Sequence, residues 1–299
     1  MIGRLARVLL AATLLLPAST LGRPRLHIEA PDELSAAARS LEGIAPARLD
    51  TVQRLIGLRD PAPPIRVILA PEGSPPTRAV PPWVAGYALS DRGLVVLMPV
   101  RALSYPDSTL DELLLHEIAH VLVGRAAGHR QVPRWFNEGL ATVAGSSWGI
   151  EDRSRLALAL VRRGGVPLSE LDAMFAGGES RIAGAYALSG ALVRETLLRH
   201  GTDAGARVLR ELARGLPFPD AFEAATGSTL ADFERSFWRR YTLWYRWLPI
   251  LTSSATLWIG VTLLVFWAGR RRRARSAEIE RRWDIEERAL AVHDEEPVN

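Results

Sequence analysis

The chain contains no cysteine, which excludes disulfides and thiolate metal sites. It contains no lysine either. All 37 basic residues are arginine, a usage that follows GC-rich codons rather than function. A dominant charge of one sign is also missing. Residues 23–269 carry 27 arginines against 25 acids, and that balance gives no footprint for nucleic acid. No internal repeat is present. What remains is 299 residues, enough for one sizeable domain with appendages or for two small domains.

Two uncharged runs stand apart. Arg4 and Arg7 precede an apolar stretch from Val8 to Leu16, and Pro17 with small residues follows. That is the plan of a secretory signal peptide, residues 1–22, too short to span a bilayer. Near the other end, Trp247 to Gly269 gives 23 residues without a charge, followed directly by RRRRAR, Arg270 to Arg275. Such a run is long enough to cross about 30 Å of hydrocarbon, and flanking arginines stay on the cytoplasmic side. The expectation is a single-pass protein of a bacterial inner membrane. Residues 23–246 would be extracytoplasmic or periplasmic, 247–269 would sit in the lipid bilayer, and the charged tail 270–299 would be cytoplasmic.

Between these runs the pattern changes once. RLHIEA reads as a short strand, and IRVILAP as another from Ile65 to Ala70, with helical stretches at Asp32 to Leu41 and Pro46 to Leu58. WVAGYAL, the turn SDRG and LVVLMP make a β-hairpin. From Pro106 the periodicity is helical. Ser108 with Asp111, or Thr109 with Glu112, forms a capping box before LLLHEIAHVLVGRAAG. Gly128 stops that helix, and Pro133 starts the next, RWFNEGLATVAG. Further helices fit Glu151 to Arg163, Leu168 to Phe175, Ala183 to His200, Asp203 to Arg214, Phe218 to Ala225 and Ser228 to Arg246. The tail from Ser276 to Val292 can form a charged surface helix. The expected fold is α+β: a small N-terminal mixed sheet with an edge hairpin (23–106), packed on a helical half (107–246), plus one C-terminal transmembrane helix.

The chemistry lies in LLLHEIAHVLVG. His116 and His120 are four apart, so their rings emerge on one helix face, roughly 40° apart about the axis. Two imidazoles at that spacing can share one tetrahedral zinc ion. Glu117 points about 100° round, beside a metal rather than on it. There it can take a proton from a water whose pKa a metal has lowered. This is the H-E-x-x-H pattern of metallopeptidases. Zinc needs a third protein ligand and an open fourth position. Glu138, 18 residues beyond His120 at the start of the next helix, is the candidate, and His129 is a rival.

HEIAH followed by RWFNEGLA resembles the gluzincin metallopeptidases, in which a glutamate on the next helix completes the site. The closer likeness is to bacterial peptidase MA-like domains. AGYALSDRGLVVLMP is similar to their strand region, and PLSELDAMF, AYALSGALVRETLLRHG and AFEAATGSTLADFERSFW to their downstream helices. The resemblance covers roughly residues 26 to 245. It implies a zincin-type helical half, with one Zn²⁺ per chain on His116, His120 and Glu138. Glu117 would be general base and acid, and Tyr186 in GAYALSG would be the oxyanion donor. Two positions depart from related patterns. Many relatives carry an acid four residues after the glutamate ligand, where this chain has Thr142. In metzincins the third histidine follows the second by six; His129 follows by nine and reads as a loop histidine.

Together these features describe a membrane-anchored zinc metallopeptidase acting on a peptide or protein outside the cytoplasm. The strand Leu94 to Met98 would be the edge on which an extended peptide adds. The alternative is an inactive membrane-tethered interaction module on the same fold. The complete set of His116, Glu117, His120 and Glu138 favours the enzyme, because a retired site need keep none of them. Intramembrane proteolysis fails on geometry, since the histidines are far from the apolar run.

Overall fold

Four strands form one sheet: β1 (Leu26–Glu29), β2 (Ile65–Leu69), β3 (Gly86–Leu89) and β4 (Leu94–Leu97), in the order β1-β2-β4-β3. The β1–β2 and β2–β4 pairs are parallel, and β3–β4 is an antiparallel hairpin that sets Gly86 opposite Leu97. The sequence LVVL of β4 is apolar without alternation, which suits a strand covered on both faces. This corrects one expectation. Leu94 to Met98 is not a free edge, because β4 is hydrogen-bonded to β2 on one side and β3 on the other. The edge next to the hairpin is β3, whose residues are only partly buried.

The computed structural model describes residues 23–60, 63–102, 109–145, 166–251, 258–273 and 275. The signal-like residues 1–22, the helix expected at Glu151 to Arg163 and the tail from Ser276 lie outside them, as does the expected boundary near 106. The chain divides into two compact units, Met1–Phe237 and Trp238–Asn299. In order, the helices are α1 (Ser35–Glu42), α2 (Pro46–Ile56), the short α3 (Pro75–Arg78), α4 (Leu110–Ala126), α5 (Arg134–Gly145), α6 (Leu168–Met174), α7 (Glu179–His200), α8 (Ala204–Ala213), α9 (Phe218–Thr226) and α10 (Leu230–Leu251).

Helix α4 is the axis of the first unit. Leu113 to Ala119 and Val121 to Val123 are all buried, so the helix is covered all round. It packs on β3 and β4 along one side and on α2, α5 and α8 along others. Complete burial of one such leucine contributes roughly 1.5–3 kcal/mol. The helix begins at Thr109, whose hydroxyl accepts from the Glu112 backbone N–H at 3.2 Å, so of the two possible capping pairs the chain uses this one.

The sheet's two faces follow the period of two. Leu97 meets Glu117 across Gly86, on the α4 side. Val96 and Met98 instead join Ala70, Val80, Val84 and Tyr87 in a separate cluster. Arg101 secures the loop before β3. Its guanidinium pairs with Glu72, at 2.9 Å from Nη2, and its Nη1 donates to the carbonyls of Pro81 and Val84. The Pro-rich segment is therefore held by one arginine. On the helical side, α5 approaches α7 through Gly139, where a Cβ would lie 2.5 Å from the Ser189 carbonyl oxygen and from Val193 Cγ2. Only glycine allows that contact.

The C-terminal expectation is corrected. Among the described residues no helix is long and apolar enough to cross a membrane. Of the run from Trp247, residues 247–251 and 258–269 are described and helical, and 252–257 lie outside the described residues. Helix α10 is mostly amphipathic, with Arg235, Arg239, Arg240 and Arg246 along its length. The transmembrane helix at 247–269, and with it the single-pass inner-membrane placement, is not supported.

Candidate metal centre

Helices α4 and α5 carry the site. One turn of α4 separates His116 from His120, and their ring centroids are 4.9 Å apart with the planes at 74°. Glu138 enters from the second turn of α5. Its Oε2 lies 3.5 Å from His116 Nε2 and 3.4 Å from His120 Nε2. The ligand atoms of the three residues all fall within 4.8 Å of one another, and the group is buried. Four atoms arranged tetrahedrally at about 2.0–2.1 Å from a common centre are about 3.3–3.4 Å apart. Both carboxylate–imidazole separations match that spacing, whereas they are long for charge-assisted hydrogen bonds. Glu138 Oε2 is moreover buried without a well-formed hydrogen bond. The group can hold a metal ion.

The electrostatics agree with a cation at this point. Burial alone would raise the Glu138 carboxyl, but the His120 and His116 rings outweigh it and hold the group well below the usual carboxylate range. Burial likewise disfavours a charged His120, yet the Glu138 carboxylate overcomes it and raises the ring above its ordinary value. One buried carboxylate and two imidazoles thus attract positive charge, which a proton or a metal ion can supply.

Glu117 is buried beside the group and outside it. A Cβ on Gly86 would lie 3.1 Å from Glu117 Oε1, so the carboxylate stands against the edge strand β3. Tyr186 projects from α7, its ring centroid 6.1 Å from that of His116. His129 is elsewhere. It sits at the end of α4 with φ 57, in the left-handed region beside Gly128, and its Nδ1 lies 3.0 Å from Asp91 in the hairpin turn. Thr142 is buried on α5, where the related pattern has an acid.

The sequence reading missed two residues. Asn137 Oδ1 lies 2.9 Å from His120 Nδ1. An Nδ1–H donating to this amide leaves the Nε2 lone pair for a metal and fixes the ring's orientation. Its position beside Glu138 was the available signal, since a helix carrying one ligand can also carry the partner of another. Arg134, one turn before Glu138, puts its Nε 3.6 Å from Glu138 Oε1. Ser90 ties the hairpin turn to the same region, donating to the His120 carbonyl at 3.0 Å. Replacing Asn137 with alanine is expected to weaken metal binding by about 10–100-fold, the scale for an outer partner of a ligand. Competition with a chromophoric chelator reads this directly, and an unchanged affinity would remove Asn137 from the site.

No protein-family model matches the chain, and no curated protein matches it. The resemblance to gluzincins therefore rests on the residues themselves.

Proposed function

We propose that the chain is a zinc-dependent metallopeptidase of gluzincin type, with His116, His120 and Glu138 as ligands. The observation that carries this reading is the buried His₂Glu group at tetrahedral spacing, with Glu117 beside it against an edge strand. Two imidazoles and one carboxylate suit zinc, and catalytic zinc sites keep a fourth position open. When bound, zinc supplies a Lewis acid that polarises the scissile carbonyl and makes water acidic enough to lose a proton near neutral pH.

The chain's own residues do the rest. Glu117 takes a proton from the attacking water and returns it to the leaving amine as the C–N bond breaks. Tyr186 donates its hydroxyl proton in a hydrogen bond to the oxygen that gains negative charge. An extended peptide adds to β3, whose outer edge is unpaired among the described residues, and so passes alongside Glu117.

The test is cleavage of a peptide library by the full chain. The expected result is hydrolysis with zinc present, its loss on stripping with a chelator, and its return when zinc is restored. A fully zinc-loaded protein that leaves every peptide in the library intact would overturn the reading.

A further inference from the structure

Several arginines among the described residues are committed to protein partners. Arg101 binds Glu72 and two carbonyls, Arg207 donates to the Ala225 and His200 carbonyls and pairs with Asp203, and Arg199 pairs with Glu195 and Ser236. Arg134 differs. Among the described residues its guanidinium makes no hydrogen bond, only the 3.6 Å approach of Nε to Glu138 Oε1 and a stacked position over Phe175, 4.5 Å from the ring centroid. Its side chain is 51% exposed, while those of His116, His120 and Glu138 are 4%, 14% and 12% exposed.

Phe175 touches Tyr186 edge-on at 5.3 Å, and Tyr186 approaches His116 at 6.1 Å. Arg134, Phe175 and Tyr186 thus form one continuous rim beside the metal ligands. The position over the Phe175 ring and the approach of Nε to Glu138 orient the guanidinium, and among the described residues its two terminal nitrogens make no hydrogen bond. A rigid guanidinium with both terminal nitrogens unengaged recognises a carboxylate through two parallel hydrogen bonds. The charges point the same way. A divalent ion on His116, His120 and Glu138 brings net positive charge to the group, and Arg134 adds more, so an incoming anion is favoured there.

The geometry points to Arg134 as the carboxylate-binding residue of this site, selecting peptides that carry a carboxylate within one or two residues of the scissile amide. This rests on the peptidase reading above. The reach follows from the distances: Nε is 3.6 Å from a ligand carboxylate, and an extended chain advances about 3.3–3.6 Å per residue. That carboxylate is either the C-terminus of the peptide or an acidic side chain, and the probes below separate the two.

The experiment measures binding rather than turnover. The full chain with Glu117→Gln is loaded with zinc and titrated calorimetrically with three N-acetylated peptides. The first is tetra-alanine with a free C-terminus, the second is its C-terminal amide, and the third is that amide with one alanine replaced by aspartate. At least one carboxylate peptide is expected to bind about tenfold or more tightly than the neutral amide. Adding Arg134→Gln should abolish that preference with zinc stoichiometry unchanged, and Arg134→Lys should restore only part of it. Equal binding of all three peptides overturns the proposal. So does loss of zinc in Arg134→Gln, which would make Arg134 only a support for Glu138. If the parent cleaves neutral and acidic peptides alike, the peptidase reading stands and this one falls. If acidic peptides bind selectively but none is cleaved, the outcome is reversed.

Discussion

Glu138→Ala should lose its metal, and His129→Ala should keep it. Glu138 supplies the only carboxylate of the buried group, with Oε2 at 3.4 and 3.5 Å from the two imidazole nitrogens. Removing it leaves two histidines, too few for a closed zinc site. The expected loss in affinity exceeds the roughly 10–100-fold cost of removing an outer partner. His129 is a ligand by chemistry alone. It is bound to Asp91 beyond the end of α4, with its backbone in the left-handed region. Equilibrium dialysis against a competing chelator reads both variants, and Glu138→Gln checks that the loss comes from the charge rather than from a cavity. Metal lost from His129→Ala and retained by Glu138→Ala would refute the ligand assignment.

The second large effect concerns the base. Glu117→Gln preserves shape and leaves His116, His120 and Glu138 untouched, so zinc content should equal that of the parent. Gln retains the packing against Gly86 and Leu97 but accepts no proton near neutral pH. Hydrolysis is expected to fall at least about a hundredfold, the lower end of what a positioned general base contributes. The measurement pairs metal analysis with initial rates on one cleaved peptide. Parental activity in this variant would give Glu117 a structural role and end the proposed mechanism.

The glutamine test also exposes what the sequence could and could not say. The i, i+4 spacing of His116 and His120 is a property of one helix, and 3.6 residues per turn brings the rings together whatever surrounds them. The same holds for the Thr109 cap and for the apolar run of β4, whose signals are local. The edge strand was misread because LVVL and GYAL look alike as strands. Which of them lies outside depends on β2 pairing with β4, a contact between distant segments. The span at 247–269 was misread for a related reason. Absence of charge over 23 residues does not by itself make one long apolar helix, and among the described residues no helix is long and apolar enough to cross a membrane.

The sequence by itself determined the two histidines on one face, the acid beside them, and the segments from which strands and helices form. Periodicity and capping act over a few residues, so these follow without knowledge of the rest of the chain. Only the tertiary structure set the Glu138 carboxylate, the ligand that the resemblance implied over His129, 3.4 and 3.5 Å from the two imidazole nitrogens. A left-handed turn after α4 and a close approach of α5 to α7 at Gly139 accompany that placement. Asn137 on His120, Gly86 against Glu117 and the Arg134 guanidinium over Phe175 are likewise products of packing. Contacts between elements depend on how helices cross and strands pair, and no local spacing encodes that geometry.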